Sequence, residues 1–349
     1  MPVENRLENI PFYEPGKVPR YDLWHKVDYM DEYDQVWGKK WGASGIGKLR
    51  EVALVRPTEF DVNPLFEKGS VLWPSQRLPV LDQWQQEHDA YAQALRDEGV
   101  IINYIEFPSP PLGIRGPMAG MWAAAEIPVI RGGAIIPRFG WSILAKGRER
   151  ILTEWLTKQG CPILLTIHGK GVAEVGGMIP LCDDVYVAML SVACNQEGLD
   201  QFIPVLHRCG VKEVLVIHQP GPLEDMRSWP AGIGFHPDTV IAALDIGKVL
   251  LYPPLVDYGT IKWLRDRKFE IIEVPLEEQR DYIPANLTIL EPGRVMMHAG
   301  AKETISKVRK AGVEVIEIEM SSILKGGNGG ICCSTMRLVR DLGPRLEDM

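Results

Sequence analysis

Several signatures of common protein classes are missing from this 349-residue chain. No apolar run reaches the 18 residues that a membrane-spanning helix needs, and the N-terminus lacks the basic and apolar pattern of a signal peptide. The net charge is −8 and no run of Lys or Arg occurs, so the chain offers nucleic acid no basic surface. We therefore expect a cytoplasmic protein that binds neither membranes nor nucleic acid.

Metal-binding and cofactor-binding signatures are missing as well. The six cysteines form no CxxC pair, and the seven histidines form no HExxH or HxxxH pair. Neither "GKG" at Gly169 nor "GGNGG" at Gly326 continues into the Lys–Ser/Thr pair of a phosphate-binding loop. A chain of this length, 46% apolar, buries a core without disulfides. We expect a globular protein with no metal and no cofactor.

What the sequence does contain is a weak internal repeat. Five amphipathic helical stretches each end in a short turn and lead directly into an apolar strand. Four of the turns contain glycine, and the fifth has Lys268 instead. The five helical stretches are "HDAYAQALRDEG", "RERILTEWLTKQG", "GLDQFIPVLHRCG", "YGTIKWLRDRK" and "TISKVRKAG".

Paired apolar runs, split by turn residues such as "RGG", "DIG" and "EPG", precede four of these helices and predict β-hairpins. Each unit thus predicts strand, strand, helix, strand, and five units fill Lys48 to Met320. We expect an α/β fold, a five-bladed propeller of ββαβ units closed around a central cavity, with an ordinary mixed sheet as the alternative. Residues 1–47 lack this periodicity, so we expect an N-terminal wrap over one catalytic domain, residues 48–349.

A glycine-rich stretch, "GGNGGICCST", makes Cys333 the first candidate for chemistry. A thiolate nucleophile needs nearby amides or positive charge, and the expected glycine loop supplies amides. On an extended backbone Cys332 and Cys333 point to opposite faces, so one enters a cavity while the other packs. The alternative is a pair of ordinary core cysteines.

Three further candidates are acidic or basic residues that stand before apolar strands. In "GFHPDTV", His236 and Asp238 share one face if the segment is a strand, the alternative being a turn capped by Asp238. Glu126 in "WAAAEIPVI" and Glu174 in "KGVAEVGGM" precede strands too, the alternatives being a solvated strand end and a loop carboxylate.

A closed ring of five units brings these strand starts together on one axis. A cysteine, a histidine and several carboxylates around one cavity suit attack on a planar cationic carbon such as that of a guanidinium. The carboxylates bind the cation, the cysteine attacks the carbon, and the histidine protonates the departing nitrogen and then activates water or an amine.

The same residues carry a resemblance to the guanidino-group-modifying enzymes, or penteins, over most of Lys48 to Leu342. The family comprises amidinotransferases, arginine deiminases and dimethylarginine dimethylaminohydrolases. "GGNGGICCST" is similar to the family's segment before its catalytic cysteine, and "FHPD" is similar to its His-x-Asp. The resemblance implies Cys333 as nucleophile, His236 as general acid and base, and Asp238 as a ligand of the substrate guanidinium.

The chain departs from the family pattern at two places. Where the family usually has Asp before its second-unit strand, this chain has Glu126. The family's Glu-Gly-Gly-Asp becomes "EVGGM", in which Met178 replaces the Asp. Ungapped counting puts Val175 at the carboxylate position, so either a one-residue shift brings Glu174 to His236 or that partner is missing.

We therefore expect a cysteine hydrolase that cleaves a C–N bond of a guanidine-, amidine- or urea-like small molecule through a covalent thiouronium-type intermediate. Cys333, His236 and Glu174 are the predicted catalytic residues, and Glu126 and Asp238 the predicted substrate ligands. The alternatives are an amidinotransferase that passes the group to an amine, and a binding member of the family without catalysis. The expected partners are a cationic or urea-like substrate and a second copy in a homodimer.

Overall fold

A computed structural model describes residues 13–18, 26–59, 79–106, 127–140, 147–174, 178–219, 236–327 and 329–349. The α-helices of these ranges are α1 (Tyr29–Val36), α2 (Leu81–Asp97), α3 (Arg148–Lys158), α4 (Gln196–Arg208), α5 (Tyr258–Asp266), α6 (Leu276–Tyr282), α7 (Lys302–Lys310) and α8 (Ser321–Gly327). None of the helices in this part of the chain is long and apolar enough to span a membrane.

The strands of the described ranges form five separate sheets of three strands each. In every sheet the middle strand runs antiparallel to one neighbour and parallel to the other. In sheet order they are β15 (Met336–Arg340), β1 (Leu49–Leu54) and β2 (Ile101–Tyr104); β3 (Val129–Ile130), β4 (Gly133–Ile136) and β5 (Ile163–Thr166); β6 (Ile179–Cys182), β7 (Val185–Leu190) and β8 (Glu213–His218); β9 (Ile241–Asp245), β10 (Lys248–Leu251) and β11 (Glu270–Glu273); β12 (Thr288–Glu291), β13 (Arg294–His298) and β14 (Glu314–Ile318).

This architecture confirms the five-bladed α/β fold predicted from the repeat. The helix of each unit links the middle strand to the third strand, because two parallel strands need a long crossover connection. The first unit is completed by the C-terminal strand β15, which pairs antiparallel with β1. The sequence pattern had shown only one strand there, because the second lies almost three hundred residues away.

The first strands of the sheets lie next to one another around the centre of the molecule. β6 contacts β9, β9 contacts β12, and β15 contacts β3. These inner strands are mostly buried, with Ile241, Ala242 and Ala243 of β9 no more than 3% exposed. The helices cover the outer strands, so the segments that precede the inner strands meet at one end of the central core.

The N-terminal segment packs against the second sheet. Trp41 is 1% exposed and lies in one apolar cluster with Val129 and Ala134. The hydroxyl of Tyr33, on α1, donates to the Trp41 carbonyl at 3.0 Å, and the Gly42 amide donates to the Leu338 carbonyl at 2.9 Å. The boundary at residue 47 between a wrap and a catalytic domain stays a prediction.

Candidate active site

Four of the five predicted site residues lie in the described part of the chain, and all four precede inner strands. Glu174 precedes β6, His236 and Asp238 precede β9, and Cys333 precedes β15. Each is 9% exposed or less. The fifth, Glu126, lies outside the described residues, so its position stays a prediction.

Cys333 is held by a residue that sequence reasoning missed, Asn286. The Asn286 Nδ2 group donates to Cys333 Sγ at 3.1 Å and to Asp238 Oδ2 at 2.9 Å, and Asn286 Oδ1 accepts from the Cys333 amide at 3.2 Å. A Cβ atom on Gly330 would lie 2.6 Å from Asn286 Oδ1, so glycine is required for this close approach. Asn286 precedes inner strand β12, just as the predicted site residues precede the inner strands of their own units. A position-by-position comparison of the five units would have identified Asn286 as a candidate.

The Cys333 thiol also faces the Asp238 carboxylate, with Sγ 3.7 Å from Oδ2. Burial raises the pKa of Cys333 well above its usual value, and the negative charge of Asp238 raises it further. The Gly330 backbone and Asn286 oppose this rise in pKa. Cys333 is therefore a protonated thiol at neutral pH.

Asp238 is a buried carboxyl with one oxygen left for a ligand. Its Oδ1 atom has no hydrogen-bond partner among the described residues. Burial raises the pKa of Asp238, while His236, Arg337 and the thiols of Cys332 and Cys333 oppose the rise. An N–H group or a cation of a substrate would satisfy Oδ1.

His236 and Glu174 form a second buried pair. His236 Nε2 lies 3.4 Å from Glu174 Oε2, and the Gly140 amide donates to Glu174 Oε1 at 3.0 Å. Glu174 is 5% exposed, so it is not the solvated loop carboxylate of the alternative. The glycines that were expected to allow this inward turn, Gly176 and Gly177, lie outside the described residues.

Three local predictions about the backbone are wrong. Residues 237–239 form a 3₁₀ turn rather than a strand, because Pro237 fixes its own backbone and the Thr239 hydroxyl donates to the His236 carbonyl at 2.6 Å. Residues 331–334 form a turn, closed by the Ser334 amide on the Gly330 carbonyl at 3.2 Å, so the cysteines do not lie on an extended backbone. Gly326 and Gly327 belong to α8 rather than to a loop.

Cys332 consequently does not point away from the site. Its side chain is 1% exposed, and its thiol opposes the rise in the pKa of Asp238. Arg337 Nη1 lies 3.1 Å from Cys332 Sγ. Burial nonetheless raises the pKa of Cys332 to about 11, so this thiol is neutral at pH 7. No cluster of three or more His, Cys, Asp or Glu side chains suited to a metal occurs within the described ranges.

Comparison with known proteins identifies the family. The family model of arginine deiminase matches residues 255–340, which include Asn286 and Cys333. The 2-nitroimidazole nitrohydrolase of Mycobacterium sp. (strain JS330) is 33% identical over 360 residues, covering 99% of this chain and 94% of that protein. The N(G),N(G)-dimethylarginine dimethylaminohydrolase of Pseudomonas aeruginosa is 28% identical over 255 residues, covering 72% and 87%.

Solved structures show the same fold at lower identity. The product-bound N-terminal domain of a cyanobacterial arginine dihydrolase has a TM-score of 0.68 and 17% identity, covering 84% of this chain and 99% of that one. The Pseudomonas aeruginosa dimethylarginine dimethylaminohydrolase in complex with citrulline has a TM-score of 0.64 and 24% identity, covering 83% and 99%.

Fold and sequence together define an enzyme of the class that acts on non-peptide C–N bonds, as hydrolases or as amidinotransferases. Within that class, the chain belongs to the pentein superfamily of guanidino-group-modifying enzymes.

Proposed function

We propose that the protein is a cysteine hydrolase that cleaves a C–N bond at a planar carbon flanked by nitrogens, in a guanidine-, amidine- or urea-like small molecule. The observation that carries the proposal is the contact of Cys333 with Asn286 and Asp238 beside the buried His236–Glu174 pair. Both 2-nitroimidazole and dimethylarginine, after which two relatives are named, contain such a carbon. Hydrolysis is preferred to amidinotransfer because the relative that matches 99% of the chain is named a hydrolase.

Substrate binding rests on carboxylates. Asp238 Oδ1, which lacks a partner among the described residues, accepts an N–H group on the carbon to be attacked. Asn286 fixes the other oxygen of Asp238, so the acceptor is oriented before the substrate arrives. Glu126 is proposed as a second ligand on the strength of its place before the second inner strand.

The reaction proceeds in two halves. The Cys333 thiol gives its proton to solvent water, and the thiolate attacks the planar carbon to give a tetrahedral adduct. The leaving nitrogen departs, taking a proton from His236 where it leaves as an amine, and a thiouronium-type intermediate remains on Sγ. Neutral His236 then takes a proton from water as the water attacks, and the C–S bond breaks to release the product and the thiol.

Glu174 acts on His236 rather than on the substrate. A carboxylate beside the imidazole holds its orientation and stabilises the imidazolium that forms. The Gly140 amide occupies the other Glu174 oxygen, which fixes the carboxylate in turn. The alternative of a binding protein without catalysis is disfavoured, because an inactive member has no need to keep nucleophile, histidine and carboxylate together.

The test is a product assay with purified protein and 2-nitroimidazole, N(G),N(G)-dimethyl-arginine and arginine, following nitrite, dimethylamine and ammonia. We expect release of one of these products without an added amine. Cys333→Ser should abolish turnover, whereas Cys332→Ser should keep most of it, since only Cys333 contacts Asn286. Equal loss in two folded variants would contradict the choice of nucleophile, and product that needs an added amine would indicate a transferase.

A further inference from the structure

Arg337, which the mechanism above does not use, contacts Cys332, the residue before Cys333. It stands on inner strand β15 and lines a small cavity of about 20 Å³. The walls of this cavity are apolar apart from a second arginine, Arg340, and include Ile179, Ala242 and Leu287. An arginine in such surroundings requires a counter-charge, because apolar walls solvate a guanidinium poorly.

The counter-charge is not supplied by a direct ion pair. Within the described ranges, no carboxylate oxygen lies within 4.0 Å of an Arg337 nitrogen. The atom in contact with Arg337 is Cys332 Sγ at 3.1 Å, and this thiol is neutral at pH 7 because burial raises its pKa to about 11. Asp238 lies close by: the thiol of the neighbouring Cys333 is 3.7 Å from Asp238 Oδ2, and the Cys332 thiol opposes the rise in the pKa of Asp238.

Arg337 and Asp238 are therefore coupled through Cys332. Each affects the other as opposite charges do: Arg337 lowers the pKa of Asp238, and Asp238 raises the pKa of Arg337. Arg340 does not compete for Asp238, because it donates to the Gly47 carbonyl at 2.8 Å and to the Ile289 carbonyl at 2.6 Å.

The described part of the site thus holds its own balance of charge. Asp238 is offset by Arg337, and Glu174 is paired with His236. A guanidinium bound at Asp238 would place a second cation near a carboxylate whose charge Arg337 already offsets. An uncharged compound with the same N–C–N geometry would leave the balance intact.

We propose that Arg337 is a specificity-determining residue, which offsets the Asp238 charge through Cys332 and so makes the site prefer an uncharged planar N–C–N compound to a guanidinium. The class includes neutral nitrogen heterocycles and guanidines whose basicity is removed by an electron-withdrawing group. The inference rests on the proposed function, because it assumes that Asp238 contacts the substrate. Specificity here is the difference between the affinity for an uncharged N–C–N compound and the affinity for a guanidinium, and the charge of Arg337 sets this difference.

The experiment compares two ligands that share a guanidine skeleton and differ in charge. Nitroguanidine is uncharged at pH 7 and methylguanidine is a cation. Their dissociation constants are measured by calorimetry in Cys333→Ser protein, which binds without turnover, and again after adding Arg337→Met. We expect the first protein to bind nitroguanidine at least about tenfold more tightly, and the added substitution to move the ratio of the constants at least about tenfold towards methylguanidine.

Three further variants make the outcome specific. Arg337→Lys keeps the charge and should keep the preference for nitroguanidine. Arg337→Gln removes the charge but keeps an N–H donor for Cys332, and it serves if the Met variant does not fold. Arg50→Met removes one exposed arginine, paired with Asp341, and controls for net charge.

The results separate the inference from the proposed function. If both ligands bind and the ratio stays the same after Arg337→Met, or if the unsubstituted site prefers methylguanidine, Arg337 does not set the charge preference. If neither ligand binds, Asp238 is not a ligand for N–C–N compounds, and the proposed function and this inference both fail.

Discussion

The reactivity of Cys333, the proposed nucleophile, is controlled by its immediate neighbours. Burial and the Asp238 carboxylate both raise the pKa of Cys333, so the free enzyme holds a thiol that ionises poorly. This protects the thiol from adventitious reagents in the absence of substrate, since only the thiolate reacts. A substrate that binds the Asp238 carboxylate neutralises its charge, which is one of the two causes of the raised pKa of Cys333. The thiol then ionises more readily.

Asp238→Asn tests this control directly. The substitution removes the negative charge beside Sγ, so the pKa of Cys333 should fall and more thiolate should be present at pH 7.5. We expect Cys333 to be alkylated by iodoacetamide several-fold faster than in the parent, as measured by peptide mass spectrometry, while turnover falls by about a hundredfold or more because a substrate ligand is lost. Glu174→Gln, which removes a carboxylate that does not contact Cys333, is the matched control and should leave alkylation unchanged. Slower alkylation of the Asn variant would contradict the account.

At this scale the sequence predicts residues that stand in a motif and misses those that act through tertiary contacts. Cys333 and Asp238 were found because glycines and a proline mark their segments. Asn286 stands in no motif, since Cys333 lies 47 residues away and the two meet only when the inner strands assemble. Arg337 contacts Cys332 only 5 residues away, but this contact depends on the turn at residues 331–334, which the sequence did not predict. The backbone at Cys332 was predicted wrongly because an apolar run does not distinguish a buried turn from a strand.

The repeated element is a helix that ends in one left-handed residue before its strand. Gly99, Gly160, Gly210 and Gly312 adopt positive φ angles of 76° to 98° at this place. Lys268 occupies the same place after α5 with φ of 60°, where a side chain strains the backbone. The sequence repeat had already aligned Lys268 with these glycines, so the strain follows from the pattern as well as from the structure.

Lys268→Gly should therefore stabilise the protein. Glycine removes the strain of a non-glycine residue in the left-handed region, which is worth about 1 kcal/mol of unfolding free energy. Part of this gain is lost because glycine has more backbone entropy in the unfolded chain. The expected result is a higher urea midpoint with an unchanged slope. Gly99→Ala is the opposite control, because φ is 76° and no atom lies within 4 Å of the added Cβ, so only backbone strain is introduced. A lower midpoint for Lys268→Gly would mean that the Lys268 side chain contributes more than its backbone costs.

The types of most elements follow from the periodicity of the sequence, but the short helix α8 does not. The hairpins and the five crossover helices were predicted because their apolar spacing is sustained over a whole element. The sequence predicts a glycine loop where helix α8 lies, since Gly326 and Gly327 have low helix propensity. Its N-terminus is fixed by a distant residue: Glu87 accepts from the Ser322 amide at 2.8 Å and from the Ser322 hydroxyl at 2.9 Å.

For the molecule as a whole, the strand that carries the site also closes the ring. β15 pairs with β1, so the first and last described strands share one sheet, and Cys333 stands immediately before β15. Arg340, at the end of that strand, binds carbonyls of residues 47 and 289. The nucleophile therefore reaches Asn286 and Asp238 only when the ring is complete. Sequence pattern predicted five units and a common axis, but this closure depends on a pairing that no local pattern contains.

The central claim is that Cys333 forms a covalent bond to the carbon of the substrate. It is tested most directly by mass spectrometry of protein quenched in acid during turnover of 2-nitroimidazole. In His236→Ala the adduct should accumulate, because nitrite leaves as an anion without needing a proton, whereas water attack on the adduct needs His236 as base.

The account predicts a mass increase equal to the substrate less its leaving group. Fragmentation of the peptide that holds both Cys332 and Cys333 should place it on Cys333, and none of the peptides with the other four cysteines should carry it. Product formation over many turnovers with no adduct in either protein would contradict covalent catalysis. An adduct on Cys332 instead would contradict the assignment of the nucleophile.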